Sequence, residues 1–112
     1  MSKYMISFDD GAMDFPEEEI GAVGDAAHAV IKAAQEAGVW IFGGGIKGQP
    51  AIIATTDGDV IEGPYPENKA IIGGFVILDV DSLDEASTWA TKIASACRCN
   101  QEIREIMLDP RA

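Results

Sequence analysis

Tyr4, Ile6 and Phe8 alternate with Met5 and Ser7, the two-residue period of a strand over residues 3–8. Asp9-Asp10-Gly11 interrupts that period. Asp14-Phe15-Pro16-Glu17-Glu18-Glu19 then predicts a helix start, because proline suits the first turn and three glutamates suit the positive end of the helix dipole. Ile20, Val23, Ala27, Ile31 and Ala34 recur at helical spacing and predict one apolar face, ended by Gly38. Val39-Trp40-Ile41-Phe42 and Pro50-Ala51-Ile52-Ile53-Ala54-Thr55 are apolar runs of strand length. Thr56-Asp57-Gly58-Asp59 between the latter and Val60-Ile61 predicts a hairpin, since Asp-Gly supplies the positive φ such turns need. Residues 71–80 are the longest apolar run, too continuous to face water on either side. Ser82 and Glu85 form a capping box ahead of a second helix running to about Ala96, with Ala86, Trp89, Ala90 and Ile93 as its buried stripe. Ile103, Ile106 and Leu108 predict a last strand that begins near Asn100.

With the hairpin arm set aside, the order is β-α-β-β-α-β. That predicts an α+β, ferredoxin-like fold: an antiparallel sheet with two helices on one face and an inserted β-hairpin arm. The helices cover one face only, yet the strands carry apolar residues on both: Tyr4, Ile6 and Phe8 on one side of residues 3–8, Met5 on the other. A homodimer packed sheet on sheet would cover the second face.

Composition narrows the function classes. The 112 residues suit one domain, and the net charge is −11, from 19 acidic and 8 basic residues. Such a surface repels nucleic-acid phosphates and anionic membranes. No apolar run approaches the roughly 20 residues of a membrane span, and the N-terminus lacks the pattern of a signal peptide, so a cytoplasmic location is expected. Cys97 and Cys99 are separated by one residue, which is not thioredoxin-like spacing, and with His28, the single histidine, they leave a zinc site one ligand short. Gly43-Gly44-Gly45 follows a strand but precedes no Gly-Lys pattern or helix start, which excludes a phosphate loop. It reads as a bend, or as a place where backbone approaches a ligand. Gly73-Gly74 within a strand reads as a bulge or as tight helix packing. Ser7 and Ser82 have no nucleophile-elbow context.

The turn Glu62-Gly63-Pro64-Tyr65-Pro66-Glu67-Asn68-Lys69, the strand Gly73-Gly74-Phe75 and the helix entry at 79–86 together resemble the YCII-related family, in its branch named after an Asp-Gly-Pro-Phe signature. Lys3-Tyr4-Met5, Phe15-Pro16-Glu17-Glu18 and Ala26-Ala27-His28 extend the resemblance over nearly the whole chain, as one domain. Glu62 stands where the branch has Asp, which moves its carboxylate outward by about one carbon–carbon bond. Tyr65 stands where the branch has Phe.

The resemblance implies a dimeric α/β barrel. It also implies that His28 pairs with a carboxylate as an acid/base dyad, in an activity such as dehydrohalogenation that requires no metal or organic cofactor. The residues leave the carboxylate open among Asp79, Asp81, Glu62 and the nearer Asp25. Taking Ile20 as the stripe centre puts His28 about 80° away, on the helix flank, as a cleft residue or as a half-buried boundary residue. Tyr65, stiffened by Pro64 and Pro66, either edges a pocket or plugs an interface. Trp40 and Trp89 read as core anchors; with a small-molecule substrate, Trp40, Tyr65 and the backbone at Gly44 would form the pocket wall. The resemblance equally implies a second class of function: a non-catalytic ligand-binding or protein-interaction module associated with sigma-factor regulation.

Overall fold

The computed structural model describes residues 2–48 and 50–112. Strand β1 spans Ser2–Asp9, helix α1 Ile20–Glu36, β2 Trp40–Gly45, β3 Ile52–Ala54, β4 Val60–Glu62, β5 Ile72–Val80, helix α2 Leu83–Cys97 and β6 Glu102–Glu105. Among the described residues the main sheet has the order β2-β5-β1-β6, with every neighbouring pair antiparallel. This is the ferredoxin-like α+β arrangement, and β3 and β4 form a separate two-stranded antiparallel arm. Gly58 supplies the expected positive φ in the turn of that arm.

Alternation decides which face is core. Tyr4 and Ile6 of β1 and Leu78 and Val80 of β5 are buried against Ala34 of α1 and Ala86, Trp89 and Ala90 of α2. Met5, Phe75 and Ile77 alternate to the opposite, helix-free face. Two register shifts bend the sheet, at Phe8/Asp9 in β1 and at Trp40/Phe42 in β2.

The helix ends follow local chemistry, with three differences from expectation. The glutamates after Pro16 form a 3-10 turn, Glu17–Glu19, and α1 begins only at Ile20. Ile20 itself is 57% exposed, so the buried stripe of α1 centres on Val23 and Ala34. At α2, Ser82 Oγ accepts from the Glu85 N–H at 3.1 Å as the capping box requires, but the Glu85 carboxylate accepts from the N–H of Asp81 at 3.0 Å, one residue before the cap. The last strand is shorter than its apolar pattern: Ile106 N–H still donates to Lys3 O at 2.8 Å, while Leu108 is exposed. Arg98 closes α2 with a left-handed φ of 57° and reaches Glu19 with an ion pair of 2.9 Å. That pair ties the end of α2 to the entry of α1.

Candidate functional site

Between the helices and the sheet lies an apolar cavity of about 250 Å³. Its walls are rings and aliphatic side chains: Phe8 from β1, Trp40 from β2, Val76 from β5, Ile31 from α1, and Trp89 and Ile93 from α2. Gly43, Gly44 and Gly45 form one edge with bare backbone. Cys97 and Gln101 are the polar residues of the wall, and the described lining carries no carboxylate, ammonium, guanidinium or imidazole. A buried charge without a partner is costly, so this lining favours a neutral guest. Phe8 also lines a second, polar hollow, with Asp9, Ala12, Cys99, Asn100 and Glu102.

The sequence reasons for this arrangement are local. Phe8 continues the inward phase of Tyr4 and Ile6, and Trp89 and Ile93 are four residues apart on α2, hence on one helix face. Cys97 is the last residue of α2, and the turn after it carries Cys99 and Gln101. Burial pushes the Cys97 thiol above its ordinary range, and the neighbouring Cys99 pushes it further. Burial also raises Cys99, partly offset by the Gln101 amide, which is 3.5 Å from its sulfur. Both are therefore neutral thiols near pH 7, poor nucleophiles and poor bases.

The expected site residues divide. Trp40 and Gly44 line the cavity. Tyr65 lies in the loop after β4, with the Lys69 ammonium 5.8 Å from its ring centroid. Glu62 ends the hairpin arm. Asp81 is exposed at the entry to α2. Asp79 faces away from the helices, paired across β1 with Lys3; its Oδ2 is 3.8 Å from Lys3 Nζ and its Oδ1 is buried without a hydrogen bond. None of these four lines the cavity.

His28 is exposed rather than half-buried on the helix flank. The reason is the position of Ile20: measured from Val23 or Ala34, His28 lies about 120–140° from the buried centre of α1. Its Nδ1 is 2.7 Å from Gly24 O. A carbonyl can only accept, so this bond requires a proton on Nδ1, and in the neutral ring Nε2 is then the acceptor nitrogen. Among the described residues, no hydrogen bond or ion pair joins His28 to a carboxylate. No group of three or more described His, Cys, Asp or Glu side chains is placed to hold a metal ion. Sequence reasoning missed Phe8, Cys97 and Gln101 as wall residues. The inward phase of β1 was the signal for Phe8; the end of α2 and the turn after it offer none.

An antiparallel β-α-β-β-α-β sheet with an apolar cavity beneath its two helices defines a class of small ferredoxin-like proteins with room for a small guest. Within that class the chain belongs to the YCII-related domain family, whose profile matches residues 3–108. The fold is similar to that of a solved structure, 5-chloro-2-hydroxyhydroquinone dehydrochlorinase (TftG) from Burkholderia phenoliruptrix AC1100 in complex with 2,5-dihydroxybenzoquinone. The TM-score is 0.57 at 15% sequence identity, over 99% of this chain and 98% of that one. No curated protein matches the sequence. No described helix is long and apolar enough to cross a membrane.

Proposed function

We propose that the protein binds a neutral, single-ring organic molecule in the cavity between sheet and helices, and that it acts on such a molecule by proton transfer of the dehydrohalogenase kind. The observation that carries the binding reading is the cavity: about 250 Å³, walled by Phe8, Trp40 and Trp89 and free of charge. A cavity of about 150 Å³ takes a benzene ring, and drug-sized ligands occupy roughly 300–1,000 Å³. A substituted single ring fits between these limits, and a dinucleotide does not. The similarity in fold to a dehydrochlorinase bound to a one-ring quinone supports the same substrate class.

In such an elimination a base takes a proton from the substrate, that electron pair forms the new double bond, and the halide leaves with the electrons of the carbon–halogen bond. His28 is exposed on α1 and outside the cavity lining, so it is the proposed base only for a ring that extends from the cavity to within hydrogen-bond reach of it, with Nδ1–H held by Gly24 O. The test separates binding from chemistry. Halide release from a chlorinated hydroquinone and binding of the same compound are measured in the parent protein and in His28→Ala. The expected result is retained binding with halide release reduced by about 10²-fold or more. Release at the parental rate would remove His28 from the reaction.

The helix-free face is proposed as a homodimer interface. Phe42 is 62% exposed there, and its ring packs 6.0 Å from that of Phe75 at 49°. With Met5 and Ile77 these rings form the apolar side of the sheet that the helices leave uncovered.

A further inference from the structure

The cavity has its shape because two aromatic rings rest on bare glycine backbone. Gly74 is the cross-strand partner of Phe8, and both face the helices. A Cβ on Gly74 would stand 2.6 Å from Phe8 Cζ, 2.8 Å from Cε1 and 3.2 Å from Gly44 O. A Cβ on Gly73 would meet Phe8 Cε2 at 3.0 Å. Carbon atoms pack at about 3.5–4.0 Å, so the Phe8 ring can sit where it does only against residues without side chains. Gly43 does the same for Trp40: a Cβ there would stand 3.0 Å from Trp40 Cη2, 2.8 Å from Val76 Cγ1 and 2.7 Å from Phe75 O. Phe8, Trp40 and Val76 are all walls of the cavity. A methyl group on Gly74 would point toward the helices. It would therefore drive the Phe8 ring off the sheet and into the space the cavity occupies.

We propose that Gly74 and Gly43 are specificity determinants: by seating Phe8 and Trp40 down against the sheet, they hold the cavity open to one ring and close it to two. This rests on the cavity being the ligand site. Neither glycine touches the guest; each acts through the ring it seats.

The experiment is calorimetric titration with 4-chlorophenol and with 2-naphthol, a two-ring phenol. The parent protein should bind 4-chlorophenol at least about tenfold more tightly than 2-naphthol, the scale on which an apolar pocket sorts size. Gly74→Ala should weaken 4-chlorophenol binding by about tenfold or more. Phe8→Ala combined with Gly74→Ala should restore it to within roughly twofold of Phe8→Ala alone, because the displaced ring is gone and the two changes no longer interact. Phe8→Ala alone should gain about tenfold for 2-naphthol, and this arm decides the matter if Gly74→Ala does not fold. If the parent binds 4-chlorophenol while Gly74→Ala and Phe8→Ala bind both phenols as the parent does, the glycine seats are not what sets specificity. If the parent binds neither phenol, the cavity reading itself fails.

Discussion

Three acids in or beside the core titrate upward. Burial raises the Cys97 and Cys99 thiols and, with the Glu105 carboxylate 3.3 Å from its hydroxyl, the Tyr4 phenol. A raised native pKa has a definite sign. Between the ordinary value and the native one, the unfolded chain has lost a proton that the native chain keeps, so stability falls as pH rises through that window and is fully present below it. The thiols have an ordinary value of 9.0 and the phenol 10.0. Urea unfolding should therefore show stability steady near neutrality and declining from about pH 9 upward. A free energy that is flat or rising over that range would contradict the burial of these groups. The N-cap is a second residue-scale handle: Ser82→Ala should cost about 1 kcal/mol, read from the urea midpoint at unchanged slope. The position of His28 shows what one residue can hide. Its helix is legible in sequence, but the face is phased there on Ile20, which is the first residue of α1 after a 3-10 turn and stays in water. A single apolar residue at a helix end does not mark the core side; Val23 and Ala34, inside the helix, do.

Elements whose evidence is local were readable from the chain. The period of two over residues 3–8, the Asp-Gly turn and the Ser82 cap depend on near neighbours in sequence, and each formed where its residues require. The bulge at Phe8/Asp9, which passes over Gly73, was signalled by Gly73-Gly74 within a strand, but that at Trp40/Phe42 was not readable, because a bulge is a mismatch between two strands and appears only when both are in place. The same holds for what the backbone of Gly73-Gly74 packs against. It is the Phe8 ring arriving from β1, rather than a helix. The cavity was illegible for that reason: its walls come from five elements far apart in sequence. The hairpin of β3 and β4 is a different kind of element. A two-stranded ribbon is at best marginal alone in water, and Ile52 and Val60 are exposed on this one. Hydrogen exchange should release the amides of 52–62 well before those of β1 and β5. Protection of the arm equal to that of β5 would show that something covers it.

At the scale of the whole molecule, the helix-free sheet face carries Met5, Phe42, Phe75 and Ile77, which the helices do not cover. If it joins two copies, Phe42→Asp should convert a dimer to a monomer in sedimentation equilibrium and leave the cavity, on the other side of the sheet, able to bind. A net charge of −11 on each copy opposes association, so dimerisation should strengthen as salt screens it. A species monomeric at every salt concentration would remove the interface. Core packing offers a control at the same scale: Leu78→Ala, at a fully buried position beside the cavity, should cost about 2–5 kcal/mol in unfolding free energy.

The central claim is that the space between helices and sheet receives a small neutral ring. The most direct measurement is intermolecular nuclear Overhauser contact between the ring protons of 4-chlorophenol and the protein's methyl groups. Contacts should appear to Val30, Ile31, Val76 and Ile93, all of which line the cavity. Contacts confined to Met5 and Ile77 on the opposite face, or none at saturating phenol, would contradict the account.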